Sequence, residues 1–322
     1  MARPRIDPVV WQPPAAPGRA RQRRSAVPLP PLRILEVLGR GPEDVLPDPE
    51  GRVLTGVADG RILRLTPDGR HVEVVADTGG RPLGLEWLPD GALLVCDARR
   101  GLLRVDGGAV EELAGGFAFC NNAAVAADGT IYFSDSTDRI GIDHWKGELL
   151  QHSGTGRLLR RGLGAETTVL LTGLEFANGV ALTPDGTAVI VAETTAYRLT
   201  RWSVADGTAS VFVDNLPAFP DNIATGSDGL VWVTMASPRD PVLDRLLPRP
   251  PVLRKAVWAL PDRLLPREQH TVWVRAYAPD GSLVHDLQAP GDRFGLVTGV
   301  REVGGTVWLG SLTGDCVAAF DL

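Results

Sequence analysis

Four side chains with oxygen donors stand at the same distance before a recurring turn glycine. They lie eight residues before the glycines at positions 51, 129, 186 and 229, and they are Glu43, Asn121, Asn178 and Asp221. Carboxylate and carboxamide oxygens are ligands that Ca²⁺ prefers and that Mg²⁺ and Mn²⁺ also accept, whereas Zn²⁺ favours histidine and cysteine. The spacing therefore predicts that these four residues hold one divalent cation, with Ca²⁺ as the expected ion and Mg²⁺ or Mn²⁺ as alternatives.

The other two repeats carry uncharged residues at the equivalent position. Leu83 lies eight residues before the glycine at 91, and in the last unit the match of Gly299 to the glycines at 84 and 179 puts Thr298 in this place. Asn and Asp also begin strands because they are good turn residues, but four in one register favour a shared cation, since carboxylates crowded on an axis repel one another. Substrate contacts around this ring are expected from Leu83, Thr298, Asn122, Asn222, Phe119 and Trp145.

The turn glycine belongs to an internal repeat. A turn ending in glycine and followed at once by a β-rich apolar stretch occurs six times, as in LPDG-ALLVCD, AADG-TIYFSD and TPDG-TAVIVAE. The shortest intervals between turn glycines are 38, 40 and 43 residues, which is the length of a four-stranded blade. The pattern predicts an all-β fold, a six-bladed β-propeller with four-stranded antiparallel blades, in which equivalent positions meet around a central tunnel.

The ends of the chain suggest how the ring closes. The last unit ends after its third strand at Leu322, so the run RILEVL at 33–38 is predicted to supply its outer strand; alternatively, this run only leads into the first blade. Residues 33–322 then form the propeller. Residues 1–32 are rich in proline and arginine and are interpreted as a disordered or surface-wrapping arm.

Two long intervals between glycines indicate insertions, at about 137–155 and 237–269. The second contains proline-punctuated apolar segments with roughly helical spacing, so short helices are predicted there, on one face of the ring. Such excursions either cover a site as lids or only pack against the ring or another subunit.

Composition limits the classes of partner. The formal net charge of −6 and the pI near 5.5 give no basic footprint for nucleic acid or an anionic membrane, so a small-molecule partner is expected, with no nucleic acid and no membrane. Three cysteines without paired spacing favour a reducing, cytoplasmic location. The sequence does not set the oligomeric state.

Several motifs carry a family resemblance. FANGVALTPDG, VFVDNLPAFPDNI, RPLGLEW and VTGVREVGGTVWLGSL resemble the strictosidine-synthase-like branch of the calcium-dependent propellers, a superfamily that also includes gluconolactonases and paraoxonases. The resemblance implies a six-bladed propeller whose metal is held by one Glu, two Asn and one Asp. These fall on Glu43, Asn121, Asn178 and Asp221, the residues that the repeat selects independently.

Two departures from the family pattern bear on the chemistry. The glutamate on which Pictet–Spengler condensation depends in strictosidine synthase is matched here by Thr298, so that activity is not expected. The stretch from Leu83 to Glu86 has no histidine where paraoxonases have a member of their dyad, and Asn122 replaces the family's usual aspartate.

The leading hypothesis is a metal-dependent hydrolase of a lactone or ester, in which the cation acts as a Lewis acid. Asp221 is expected to act as general base or nucleophile, with a water held between Glu43 and Asp221 as the attacking group. His144, in the first insertion, is a candidate acid or base. Two alternatives stay open: a biosynthetic enzyme that performs cyclisation or rearrangement in the same pocket, and a binding propeller with a structural cation.

Overall fold

The computed structural model describes residues 3–162, 164–261, 264–265 and 268–322. Six four-stranded antiparallel sheets form the ring, so the predicted six-bladed β-propeller is confirmed. In the first three blades the strands are β2 (Leu46–Pro47), β3 (Val53–Gly56), β4 (Arg61–Leu65) and β5 (Val72–Asp77); β6 (Pro82–Trp87), β7 (Leu93–Asp97), β8 (Gly101–Asp106) and β9 (Ala109–Ala114); and β10 (Cys120–Val125), β11 (Ile131–Asp135), β12 (Gly156–Arg161) and β13 (Thr167–Leu174).

Blades four to six complete the ring. Their strands are β14 (Ala177–Leu182), β15 (Ala188–Glu193), β16 (Arg198–Ser203) and β17 (Ala209–Val213); β18 (Ala218–Thr225), β19 (Val231–Pro238), β20 (Thr271–Tyr277) and β21 (Leu283–Pro290); and β22 (Val297–Val303), β23 (Thr306–Ser311), β24 (Cys316–Asp321) and β1 (Arg33–Glu36). β1 pairs with β24 in antiparallel register, Ile34 opposite Ala318, so the first strand of the chain is the outer strand of the last blade.

The core lies between neighbouring blades. The second strands β7, β11, β15 and β19 are buried along their full length because each is covered on both faces, whereas the outer strands β5, β9 and β17 are mostly exposed or half-buried. The turns before the second strands need a left-handed residue, and Gly129 supplies it with φ of 83° while its N–H donates to the Ala126 carbonyl.

A β-bulge lies at the same place in the innermost strand of five blades. The register shifts between Pro82 and Leu85 in β6, and at the equivalent places in β10, β14, β18 and β22. The residue pairs inside these shifts are 83–84, 121–122, 178–179, 221–222 and 298–299. Because a bulge bends its strand and re-aims a side chain, it turns the first member of each pair towards the tunnel.

Asn122, the second member of one pair, and Asp44, which follows Glu43 in blade one, connect neighbouring blades. The Asn122 Oδ1 atom accepts the Val180 N–H of the next blade at 3.0 Å, and Asp44 Oδ2 accepts the Leu85 N–H at 3.1 Å. Glycines occupy other positions where the innermost strands of neighbouring blades meet. A Cβ atom on Gly179 would meet Ile223 N at 2.3 Å, so only glycine lets the innermost strands of blades four and five approach this closely.

Both insertions contain helices, whereas the sequence predicted helix only in the second. The first holds α1 (Trp145–Gln151), and the second holds α2 (Pro241–Leu246) and α3 (Pro251–Trp258). Asp240 caps α2 by accepting the N–H groups of Val242 and Leu243. Residues 262, 263, 266 and 267 of the second insertion, and residues 1 and 2 of the arm, lie outside the described residues.

The N-terminal arm wraps the surface. Its first part lies over the insertions, where the Val9 N–H donates to the Gln151 carbonyl at 2.8 Å. Further along, Arg19 pairs with Asp286 on the outer strand of blade five at 2.7 Å and lies 4.4 Å over the Trp273 ring. The arm then enters β1, so it runs from the insertions to the outer strand of blade six.

Candidate metal and substrate site

One cavity at the end of the tunnel gathers all six residues of the sequence register. It encloses about 140 Å³, and its floor is formed by Glu43, Leu83, Asn121, Asn178, Asp221 and Thr298. By the same measure a single water needs about 10–15 Å³, so the cavity has room for a small organic molecule. Five of these residues stand first in the bulges, and Glu43 precedes the short strand β2, held by its N–H bond to the Gly56 carbonyl at 3.3 Å.

The orientation of the Asn121 amide is fixed by a hydroxyl group. Asn121 Nδ2 donates to Ser136 Oγ at 2.9 Å, and Ser136 Oγ in turn donates to the Ala177 carbonyl at 2.7 Å. Because the amide nitrogen is taken by this contact, Oδ1 is the amide atom left without a partner, and it is buried. The hydroxyl therefore connects one predicted ligand to the backbone just before the next one.

The same arrangement recurs one blade further. Asn178 Nδ2 donates to Thr194 Oγ1 at 3.2 Å, and Thr194 Oγ1 donates to the Pro220 carbonyl at 2.7 Å, directly before Asp221. Asn178 Oδ1 is again buried without a hydrogen-bond partner. Two amide oxygens are thus held at the cavity floor by a repeated hydroxyl relay.

Glu43 is a buried carboxylate, and one of its two oxygens accepts a hydrogen bond. Its Oε1 atom accepts the Asn222 side-chain amide at 3.0 Å, while Oε2 has no partner. Burial raises the pKa of Glu43 well above its usual range, and the carboxylates of Asp221 and Asp44 raise it further; Arg81 and Asn222 act in the opposite direction. The positive charge of Arg81 therefore offsets only part of the cost of ionising Glu43 in this buried position.

Asp221 is the second carboxylate on the floor. Burial raises its pKa to about 7 and nearby Asp44 adds to the rise, although the neighbouring Asn178 amide and the Asn222 backbone N–H lower it. A carboxyl group in this range changes protonation state near neutral pH, which suits either cation binding or proton transfer.

The donor chemistry fits a hard divalent cation. Three buried oxygens without partners, Glu43 Oε2, Asn121 Oδ1 and Asn178 Oδ1, line one cavity beside the Asp221 carboxylate. Buried polar atoms are normally hydrogen-bonded, so three such atoms in one place indicate a missing partner. Among the described residues no three His, Cys, Asp or Glu side chains cluster into a metal cage, so the two amide oxygens are essential to this set.

The walls above the floor are apolar. Phe119 and Phe176 meet edge to face with ring centroids 5.5 Å apart, and the wall continues through Trp145, Leu149, Leu150, Phe219, Leu243 and Leu265. The helices of both insertions supply part of this wall, so they cover the cavity. Lys146 and Glu268 line the cavity, form an ion pair at 2.6 Å between the two insertions and stay partly exposed on its solvent side.

Three predicted site residues are not on the cavity wall. The Asn122 side chain bonds the neighbouring blade, and the Asn222 side chain bonds Glu43. Neither residue lines the cavity, so neither is positioned to contact a substrate there directly. His144 does not line the cavity either; its ring packs edge to face with the Trp258 ring, with centroids 6.3 Å apart. No histidine is among the described residues that line the cavity.

Sequence reasoning missed the residues that orient the ligands. Ser136 and Thr194 each follow the acidic residue that ends a second strand, Asp135 in β11 and Glu193 in β15. A hydroxyl residue repeated at this place is the signal that identifies them. The partners Lys146 and Glu268 carry no such signal, because they lie in insertions that the repeat does not describe.

The fold and the oxygen-lined cavity together define a class of protein, the six-bladed propellers with a candidate cation site at one end of the tunnel. The family model described as strictosidine synthase matches residues 121–206, and the model for the N-terminal part of strictosidine synthase-like proteins matches residues 32–65. An adipocyte plasma membrane-associated protein of Salmo salar is 32% identical over 87% of this chain and 77% of its own length. The chain belongs to the strictosidine synthase-like family.

A second relative is similar at a comparable level of identity, and solved structures share the fold. Strictosidine synthase-like protein 6 of Arabidopsis thaliana is 34% identical over 66% of this chain and 64% of its own length. A gluconolactonase from Xanthomonas campestris has the same fold, with a TM-score of 0.66 at 19% identity and coverage of 99% of both chains. The calcium-binding protein regucalcin from Agrobacterium tumefaciens also has a TM-score of 0.66, at 14% identity over 92% of this chain and 95% of its own.

The described part of the chain has no helix that is both long and apolar enough to cross a membrane. The cytoplasmic location and the absence of a membrane partner stay predictions from the sequence.

Proposed function

We propose that this protein hydrolyses an apolar ester or lactone with the help of a divalent cation, Ca²⁺ first, held by Glu43, Asn121, Asn178 and Asp221. The observation that carries the proposal is the set of three buried oxygens without partners beside Asp221 at the floor of one cavity. A cation bound there supplies Lewis-acid polarisation of a carbonyl oxygen. The calcium-binding and lactonase descriptions of proteins with the same fold support this choice.

The residues of the cavity floor have separate roles in the proposed reaction. Asn121 and Asn178 are held by hydroxyl groups, so they keep their amide oxygens on the floor without rearrangement. Asp221 is the carboxylate we assign as proton acceptor, because it lines the cavity next to the other buried carboxylate, Glu43. Burial raises the pKa of Asp221 to about 7 in the cation-free protein, and a bound cation would lower it. In this proposal a water held between Asp221 and Glu43 would attack the carbonyl carbon. Asp221 would take the proton of the water and return it to the alkoxide that leaves when the ester C–O bond breaks.

The apolar wall indicates the class of substrate. A sugar lactone brings several hydroxyl groups, and each would lose its hydrogen bonds to water against Phe119, Phe176 or Leu243. An aryl or alkyl ester, or a lactone with an alkyl chain, buries apolar surface on the same wall. We therefore expect turnover to favour apolar substrates over polyhydroxylated ones.

The test is a panel of phenyl esters and alkyl lactones of increasing chain length, with gluconolactone as the polar member, before and after removal of divalent cations by EDTA. We expect activity towards the apolar members, loss after EDTA and recovery with Ca²⁺. Turnover that survives complete cation removal would contradict the proposal. A bound cation without hydrolysis of any member would favour a biosynthetic or binding role for the same cavity.

A further inference from the structure

Residues 3–15 of the arm lie on the outer side of the cavity wall. Ile6 is buried in one apolar cluster with Leu150, Leu243 and Leu265, three residues whose other side lines the cavity. Trp11 packs against the same cluster. The arm therefore supports the wall from behind and does not merely cover blades.

Arg254 joins three separate segments of the chain. This arginine of α3 is fully buried, and its guanidinium donates to the Leu150 carbonyl in the first insertion at 3.0 Å and to the Val9 carbonyl in the arm at 2.7 Å. α1 lies directly against α3, since a Cβ atom on Gly147 would meet the Trp258 ring at 3.0 Å. The two insertions are thus fastened to one another and to the arm at one point.

Backbone bonds of the arm hold both insertions. The Val9 N–H donates to the Gln151 carbonyl at the end of α1, and the Trp11 N–H donates to the Leu247 carbonyl just after α2. The Trp11 ring stacks on buried His152, with centroids 4.1 Å apart, and the Trp258 Nε1 atom donates to the Pro4 carbonyl at 2.8 Å. Each contact ties the arm to a helix whose neighbouring residues line the cavity.

We propose that residues 3–15 of the arm are a specificity-determining support of the site: they hold the two insertions together and so fix the width of the apolar cavity. The effect on substrates rests on the function proposed above, whereas the effect on the insertions does not. Loosening the arm is expected to let α1 and α3 separate, which changes how long or bulky substrates bind while the floor residues keep their hydroxyl contacts.

Val9 allows a test that leaves every cavity residue in place. Its side chain is 52% exposed, so its main contribution here is the backbone. In the full chain, Val9→Pro removes the N–H that bonds Gln151, whereas Val9→Ala keeps it and serves as the matched control. Trp11→Ala, which removes the stack on His152, is a second variant that leaves the backbone bonds unchanged.

The first readout does not need activity. Trypsin cuts within α3, after Arg254 or Lys255, only when the helix opens, and we expect Val9→Pro and Trp11→Ala to be cut there about fivefold to tenfold faster than Val9→Ala. Calcium content should stay equal in all three proteins. Equal cutting rates, or the same acceleration at sites in the blades, would overturn the proposal, because the effect would then be absent or global.

The second readout is selectivity. For the loosened variants we expect the ratio of kcat/KM between a long-chain and a short-chain phenyl ester to change at least threefold, through KM, with kcat for the short ester preserved. An unchanged ratio alongside faster cutting in α3 would overturn the role in specificity. If the wild-type protein hydrolyses no ester, the function proposed above fails, and the cutting rates alone decide whether the arm supports the insertions.

Discussion

The Asn222 side-chain amide donates to Glu43 Oε1 across 3.0 Å, which links blade five to blade one at the floor of the cavity. This bond uses one carboxylate oxygen and leaves Oε2 as the buried atom without a partner. We therefore expect Asn222 to be a positioning residue that acts on a bound cation through Glu43.

Replacing Asn222 tests this role. Asn222→Ala is expected to weaken Ca²⁺ binding about tenfold to a hundredfold, because partners that orient ligands typically contribute that much to metal affinity. Calorimetric titration of the EDTA-stripped protein measures it. Asn122→Ala is the matched control: it is equally buried, but its amide bonds Val180, so it should lower the free energy of unfolding by about 1–3 kcal/mol and leave the calcium Kd within about threefold. Similar losses of calcium affinity in both variants would refute the assignment.

The hydroxyl relay predicts a side-chain-specific effect at Thr194. Thr194→Val keeps the shape and removes the group that holds Asn178 Nδ2, so the amide can rotate and present its nitrogen to the cavity. We expect calcium affinity to fall about tenfold or more. Thr194→Ser retains the hydroxyl and should bind Ca²⁺ like the wild type. If Thr194→Val and Thr194→Ser bind equally, the relay does not orient the ligand.

The carboxylate pair predicts a pH dependence of the cation-free protein. The pKa values of Glu43 and Asp221 are both raised in the folded state, that of Asp221 to about 7, so between about pH 4 and pH 7 the folded Asp221 holds a proton that the unfolded chain has released. The contribution of Asp221 to stability is therefore present at low pH and is lost as pH rises to about 7, and the raised pKa of Glu43 acts in the same direction. In EDTA the free energy of unfolding should fall by about 1–2 kcal/mol more between pH 5.5 and 8 than it does with saturating Ca²⁺. Thermal unfolding in the two buffers measures the difference, and parallel curves would argue against this pair as the cation ligands.

Catalysis should depend on Asp221 and not on His144. Asp221→Asn keeps the shape and an oxygen donor but removes the proton acceptor, so kcat should fall about a hundredfold or more at saturating Ca²⁺. His144→Ala should keep kcat within about twofold, because the His144 ring lies against Trp258 and not on the cavity wall. A large loss of kcat in His144→Ala would restore the role that the sequence suggested for it.

The sequence predicts those parts of the site that obey the repeat. Glu43, Asn121, Asn178 and Asp221 share one offset from a turn glycine, and because blades repeat around an axis, the shared offset becomes a shared cavity floor. The ring and its number of blades follow from the same periodicity.

The remaining features of the site depend on tertiary packing, which the sequence repeat does not encode. The sequence predicts substrate contacts from Asn122 and Asn222, which are neighbours of ligands. In the structure the bulge directs the first residue of each pair to the cavity, whereas Asn122 bonds the adjacent blade and Asn222 bonds Glu43. The direction of an insertion depends on tertiary packing, so the position of His144 could not be inferred from its distance along the chain. Nor does the composition of the arm reveal that Ile6 is buried behind Leu150.

The decisive measurement for the cation site is a calcium titration of the EDTA-stripped wild-type chain beside Asn178→Ala. We expect one Ca²⁺ per wild-type chain, with protons released at pH 6.5, and at least tenfold weaker binding in Asn178→Ala, which lacks one of the buried amide oxygens. A wild-type chain that binds no divalent cation, or an Asn178→Ala chain that binds it equally well, would contradict the assignment of the cavity floor as a metal site.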